Sequence, residues 1–164
     1  IAPFYGNFGI LLRTYTYLTM CGREGCKRIS ENAVLNANYI RARLAPYYEQ
    51  KFTRYCMHEC VLSARPQTRF GVHALDIAKA LLDAGFHAPT IYFPLIIPEA
   101  LMIEPTETES KEMLDRFCDT MIDIAKKAES DPEAIKRCPL TMPIGRLDEV
   151  SAARQPVLTA RPCC

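Results

Sequence analysis

Cys56, His58 and Cys60 alternate along a short apolar-rich run from Cys56 to Ser63. If that run is a β-strand, its period of two places Cys56, His58, Cys60 and Leu62 on one face and Met57, Glu59 and Val61 on the other. Thiolate and imidazole are zinc ligands, but structural zinc takes four of them at short spacings, and no fourth is visible here. The expected metal content is therefore none, and the expected arrangement is a buried strand face with one hydrogen-bonded histidine. His58 and Glu59 would make an acid–base pair, yet a regular strand points them apart. A bulge or the end of the strand would be needed to make them converge.

Three other places carry polar chemistry. Asn7 lies in Tyr5-Gly6-Asn7-Phe8-Gly9 ahead of a helical run, where free backbone N–H groups could receive a phosphate or carboxylate. The simpler reading is that Asn7 caps the helix. Glu104 to Ser110 is dense in acids and hydroxyls, ordinary stabilisation for a helix start. His87 sits between Gly85-Phe86 and Ala88-Pro89, at a helix-to-strand connection where it could face a cleft. Nucleophile-elbow, phosphate-loop, HExxH and dinucleotide patterns do not occur.

The elements that must position these residues follow from apolar period and breakers. A helix over Ile10–Cys21 should stop at Gly22, and a second should run from about Glu24 to Leu44, where Cys26, Ile29, Ala33, Ala37, Ile40 and Leu44 recur at three- and four-residue spacing. Cys56–Ser63 is a strand candidate. Leu75 to Leu82 is a helix stopped by Gly85. Thr90–Phe93 and Leu101–Ile103 are strand candidates bounded by prolines. The longest helix should begin after Pro105, with Thr106 and Glu109 spaced as a capping box and Met113, Leu114, Phe117, Met121, Ile124 and Ala128 on its apolar face. Short helices are expected at Pro132–Arg137 and Leu147–Arg154. Helices laid on one face of a small sheet make an α+β arrangement.

The 164 residues suffice for one ordinary domain, and 49% hydrophobic content suffices for its core. A formal charge of +1 leaves no basic stripe for nucleic acid. No window is apolar enough for a membrane span, so the expected setting is soluble and cytoplasmic. The eight cysteines are scattered without any CxxC, and several fall at apolar helical positions, where a reduced thiol acts as a small hydrophobe. Ile1 in place of Met suggests that an upstream part has been removed.

Four ordered runs, Phe4–Gly9, Ser30–Tyr39, Asp83–Thr90 and Leu101–Lys111, strongly resemble the glycine decarboxylase P-protein of the glycine cleavage system, in detail nearer to subunit 2 of the two-subunit form. The likeness runs from the start to about Leu158. It implies a fold-type-I enzyme using pyridoxal phosphate (PLP), in which a large domain holds the cofactor and a smaller C-terminal α/β domain closes over it. On that basis residues 1–46 are the connecting loop and helices, 47–158 the small domain and 159–164 a divergent tail. The resemblance implies loss of carbon dioxide from glycine and transfer of the aminomethyl group to the lipoyl arm of the H-protein. It implies as partners the missing large domain, P-protein subunit 1 and the H-protein in a hetero-oligomer. The family's His-Lys-Thr pattern around the cofactor lysine is absent, and Lys111 and Lys126 lie on a predicted solvent-facing helix. The isolated chain is expected to be inactive and to bind no PLP, although the resemblance implies that the complete protein is an oxidoreductase of glycine catabolism. Asn7, His58 and Glu59 are the candidates for the rim of its active site.

Cys60 stands where the family leads one to expect phenylalanine, Cys26 where leucine is expected, and Leu140 and Met142 where histidine and threonine are. In the complete enzyme Phe4, Tyr5, Phe8 and Leu11 would be buried against the large domain. The competing reading is a stand-alone interaction or regulatory module derived from the same domain, and a metal-binding redox module is a third.

Overall fold

The computed structural model describes residues 4–159. Helix α1 spans Phe8–Leu44, and Asn7 caps it by accepting from the Ile10 N–H at 3.3 Å. The two expected helices are joined into one hydrogen-bonded run with a kink at Gly22, whose φ of 61° and ψ of −177° are non-helical. Glycine takes that left-handed φ without a Cβ clash, so it bends the helix where a stop was expected. Only the last turns of α1 enter the core, through Ala37, Ile40 and Leu44.

The chain continues through β1 (Cys60–Ser63), α2 (Arg65–Thr68), α3 (Ala74–Asp83), β2 (Thr90–Ile91), β3 (Ala100–Ile103), α4 (Lys111–Ser130), α5 (Pro132–Lys136) and α6 (Glu149–Arg154). The strands form an antiparallel sheet in the order β1-β3-β2, with Cys60 opposite Ile103, Ser63 opposite Ala100 and Ile91 opposite Leu101. This is the α+β arrangement expected. Leu62 and Leu101 of the sheet, Ile77 and Leu81 of α3, and Leu114, Phe117 and Met121 of α4 share one core with Ile40 and Leu44.

Three boundaries differ from expectation, and one short helix is additional. The strand expected over Cys56–Ser63 begins at Cys60. Continuing the register past Ile103 would set residue 58 against Pro105, which has no N–H to donate. Asn38 instead holds the Cys56 backbone, donating to its carbonyl at 2.8 Å and accepting from its N–H at 3.1 Å. The strand expected over Thr90–Phe93 ends at Ile91, because Tyr92 turns to φ 59°. Helix α4 starts at Lys111, capped by the Ser110 hydroxyl accepting from the Met113 N–H at 3.2 Å. Thr106 does not cap it, since its hydroxyl pairs with that of Thr108 at 2.7 Å and its carbonyl accepts from Asn36 at 2.9 Å. Helix α2 was not anticipated, being a single proline-initiated turn too short to show a period.

The stop expected at Gly85 holds, with φ +80° just after α3. α5 and α6 lie within the expected ranges. The six described cysteines are free, and Cys60, Cys118 and Cys138 are buried. Burial pushes the Cys60 thiol up from its ordinary range and the Cys118 thiol up to about 11, consistent with their role as small hydrophobes. Cys163 and Cys164 lie outside the described residues.

Polar links fasten the segment after α1 and the tail to this core. The buried Tyr48 hydroxyl donates to the Met121 carbonyl at 2.9 Å. The N–H groups of Leu140 and Thr141 donate to the Asp83 carboxylate at 2.7 and 2.8 Å, tying the tail to the end of α3. Arg146 reaches the buried Asp76 at 2.6 Å.

Asp115 of α4 receives Lys111 at 2.6 Å, the Tyr39 hydroxyl, and Arg43 at 2.7 Å. These contacts, Lys111 first, hold its carboxyl down at about 2. A depressed carboxylate contributes stability above its unfolded pKa of about 3.9 and loses it as pH falls through the folded value. Asp115→Asn should therefore reduce stability near neutral pH and flatten the loss between about pH 4 and pH 2. Urea unfolding of both forms across that window reads the effect, and parallel pH curves would contradict it.

Candidate functional site

A cavity of about 550 Å³ opens between the end of β3 and the start of α4. Its apolar side comes from Ile40 of α1, Phe86, and Leu114 and Phe117 of α4. Phe86 meets Phe117 edge-on at 5.3 Å, and the Arg116 guanidinium lies over the Phe86 ring at 4.8 Å. Its polar side is His87, Glu104 and Glu109. The α3–β2 connection carries His87 there because Gly85 ends α3 and Pro89 redirects the chain into β2. His87 does face a cleft, as its position suggested.

His58 and Glu59 meet one another, with Nε2 to Oε1 at 3.3 Å. Glu104 joins them, its Oε1 lying 3.9 Å from His58 Nε2. The late start of β1 explains the meeting, since both residues precede the strand and the alternation that would separate them does not operate. Ladder register explains Glu104, because residue 59 falls opposite 104 when the Cys60–Ile103 pairing is continued by one residue. The Cys56-His58-Cys60 face does not exist as a strand face, as Cys60 is buried in the sheet and His58 is exposed.

Asn7 is elsewhere. Its side chain accepts from Ile10, as the capping reading required. Tyr17, ten residues on, is where α1 touches the Thr106–Thr108 turn, donating to Glu107 at 2.9 Å. At about 1.5 Å per residue, Asn7 is roughly 15 Å up the helix from that contact. The Glu107 bond raises the Tyr17 phenol to about 12.

Glu104 was read only as helix-start stabilisation. Its membership of the cluster depends on which strand pairs with β1, and β-strand partners are not written in local pattern. The cluster offers one imidazole and two carboxylates, groups that transfer protons or bind cations. The cavity beside it is lined by no lysine or arginine, so it has no amine for a carbonyl cofactor and no cationic side chain for its phosphate.

The N-terminal part of α1 presents a different surface. Phe4, Tyr5 and Phe8 are 92%, 88% and 77% exposed, and Ile10, Leu11, Leu12, Tyr15, Leu18 and Met20 are exposed as well. Among the described residues, no helix is long and apolar enough to cross a membrane.

Residues 29–138 match the family described as glycine dehydrogenase, C-terminal domain. A curated relative from Bacillus licheniformis, probable glycine dehydrogenase (decarboxylating) subunit 2, is 60% identical over 158 residues, covering 96% of this chain and 33% of the relative. The protein of the same name from Halalkalibacterium halodurans is 58% identical, with 96% of this chain and 32% of the relative covered. The chain thus spans about a third of the length of these relatives. Among solved structures, the crystal structure of glycine decarboxylase (P-protein) of the glycine cleavage system, in inhibitor-bound form, is similar with a TM-score of 0.56. It is 20% identical, over 66% of this chain and 24% of that one, a likeness of fold.

Proposed function

Because the chain belongs to the glycine dehydrogenase C-terminal domain family, we propose that it is the C-terminal part of a PLP-dependent glycine decarboxylase, and that the complete protein releases carbon dioxide from glycine and passes the aminomethyl group to the lipoyl arm of the H-protein. The observation that carries this reading is 60% identity along 96% of the chain to a subunit 2 relative. Residues 1–46 are the passage from a preceding large domain and 47–158 the small domain, with 159–164 a tail of its own. The name of the relatives supports a hetero-oligomer with a subunit 1.

PLP does not fit the cavity of this chain. Two carboxylates and an imidazole line it without a cationic side chain, and Lys111 is spent on Asp115 at 2.6 Å. The cofactor is therefore held by the rest of the complete protein. His58 and Glu59, joined by Glu104, are the residues proposed to face the active site from this domain. Asn7 remains a rim candidate only through the part of α1 that the preceding domain would cover.

The test is a chimera in which this chain replaces the corresponding third of the Bacillus licheniformis subunit 2. Exchange of the glycine carboxyl with labelled bicarbonate is followed in the presence of subunit 1 and H-protein. The chimera should retain activity within about tenfold of the parent, an activation difference near 1.4 kcal/mol. The chain alone should show none, and no visible cofactor band on it should survive dialysis. A chimera that folds and assembles but has lost exchange would favour a non-catalytic interaction module.

A further inference from the structure

The geometry points to a divalent-cation site built from His58 Nε2, Glu59 Oε1 and Glu104 Oε1 at the open end of the β1–β3 ladder, suited to an ion of the manganese type. The two carboxylates come together where the strands leave the sheet, since Glu59 and Glu104 are the residues next to the last pair, Cys60 and Ile103. Like charges directly opposite on a sheet repel. Some other carboxylates are met by a fixed cation, as Asp115 is by Lys111 and Arg43, Asp119 by Arg43 and Asp76 by Arg146. Among the described residues no lysine or arginine lies within ion-pair distance of Glu59 or Glu104, and both turn to the same imidazole nitrogen, at 3.3 and 3.9 Å.

The spacing suits a shared ion. Metal–ligand bonds of about 2.0–2.2 Å place neighbouring ligand atoms roughly 3.0–3.5 Å apart. The three donor atoms already lie within 4.8 Å of one another, so small side-chain rotations close the set. Imidazole with two carboxylates is a donor set for borderline-to-hard first-row ions rather than for thiophilic ones. The side chains of His58, Glu59 and Glu104 are 56%, 35% and 55% exposed, which leaves coordination positions for water or ligand. Glu104 is also a wall of the 550 Å³ cavity, so a bound ion would sit at its edge. The expectation of no metal was built on Cys56, His58 and Cys60 and on four-ligand zinc; the present set shares only His58 with it.

This site does not depend on the enzymatic reading, because the probe is Mn²⁺ alone, without substrate or cofactor. Titration of the chain, followed by loss of the free Mn²⁺ paramagnetic resonance signal, should show one saturable ion per chain. His58→Gln and Glu104→Gln should each weaken it at least tenfold. Glu109→Gln, on the same cavity but outside the donor set, should leave it unchanged. All three side chains are solvent-exposed, so the variants should keep the parent's circular dichroism and unfolding midpoint, which are recorded alongside. Absence of saturable binding below millimolar Mn²⁺ overturns the proposal. So does binding that survives both substitutions, the behaviour of an adventitious ion on surface acids.

Discussion

Replacement of Leu101 by alanine is expected to cost about 2–5 kcal/mol, the range for truncating a buried leucine where the surroundings relax only partly. Leu101 is 0% exposed. It sits in the central strand, opposite Leu62 on one side and Ile91 on the other, so neither flanking strand can close the gap without breaking its own register. A domain of this size has roughly 5–15 kcal/mol in total, and the variant should be close to the limit of folding at 37 °C. Urea unfolding would show a much lower midpoint with little change in slope. Leu35→Ala, at a position 66% exposed on α1, should stay within about 0.5 kcal/mol. A loss below about 1 kcal/mol at Leu101 would mean that the sheet is not the centre of the core.

Removal of the residues before Glu24 is expected to abolish concentration-dependent association of the chain while leaving the remainder folded. At about 100° per residue, Phe8, Ile10, Leu12, Tyr15, Leu18 and Met20 point to every side of α1, and all six are exposed. A helix that is apolar all round is one that is enclosed in its native setting. This part of α1 also precedes the stretch 29–138 that matches the C-terminal domain family, and it makes little contact with the core beyond Tyr17 and Glu107. Apolar surface beyond a few hundred Å² drives association, so the chain should elute larger than a monomer at micromolar concentration. Sedimentation of both forms at several concentrations decides it. Slow hydrogen exchange from Phe8 to Met20 in a strict monomer would show that the segment finds its partners within this chain.

Most elements were legible because their signals are local. The apolar stripe of α4, the glycine after α3, the proline-led turn of α5 and the capping role of Asn7 each need only a few neighbouring residues to specify them. Errors fell where a local signal competed with a distant partner. Thr106 and Glu109 have the spacing of a capping box, but Asn36 of α1 takes the Thr106 carbonyl, and Ser110 caps the helix. The run Cys56–Ser63 has strand composition throughout, but Asn38 binds Cys56, and the proline two residues past β3 offers no N–H to extend the ladder.

The same division holds for the candidate site. Residue types, the adjacency of His58 and Glu59, and the position of His87 at a helix-to-strand connection were determined by the sequence, as was the relationship carried by four ordered runs of residues. The union of His58, Glu59 and Glu104 was decided only in the tertiary structure. Forty-five positions separate Glu59 from Glu104, and they meet because β1 pairs antiparallel with β3 rather than with β2. Strand pairing is settled by which faces can be buried together, a property of the whole core that no window of sequence contains.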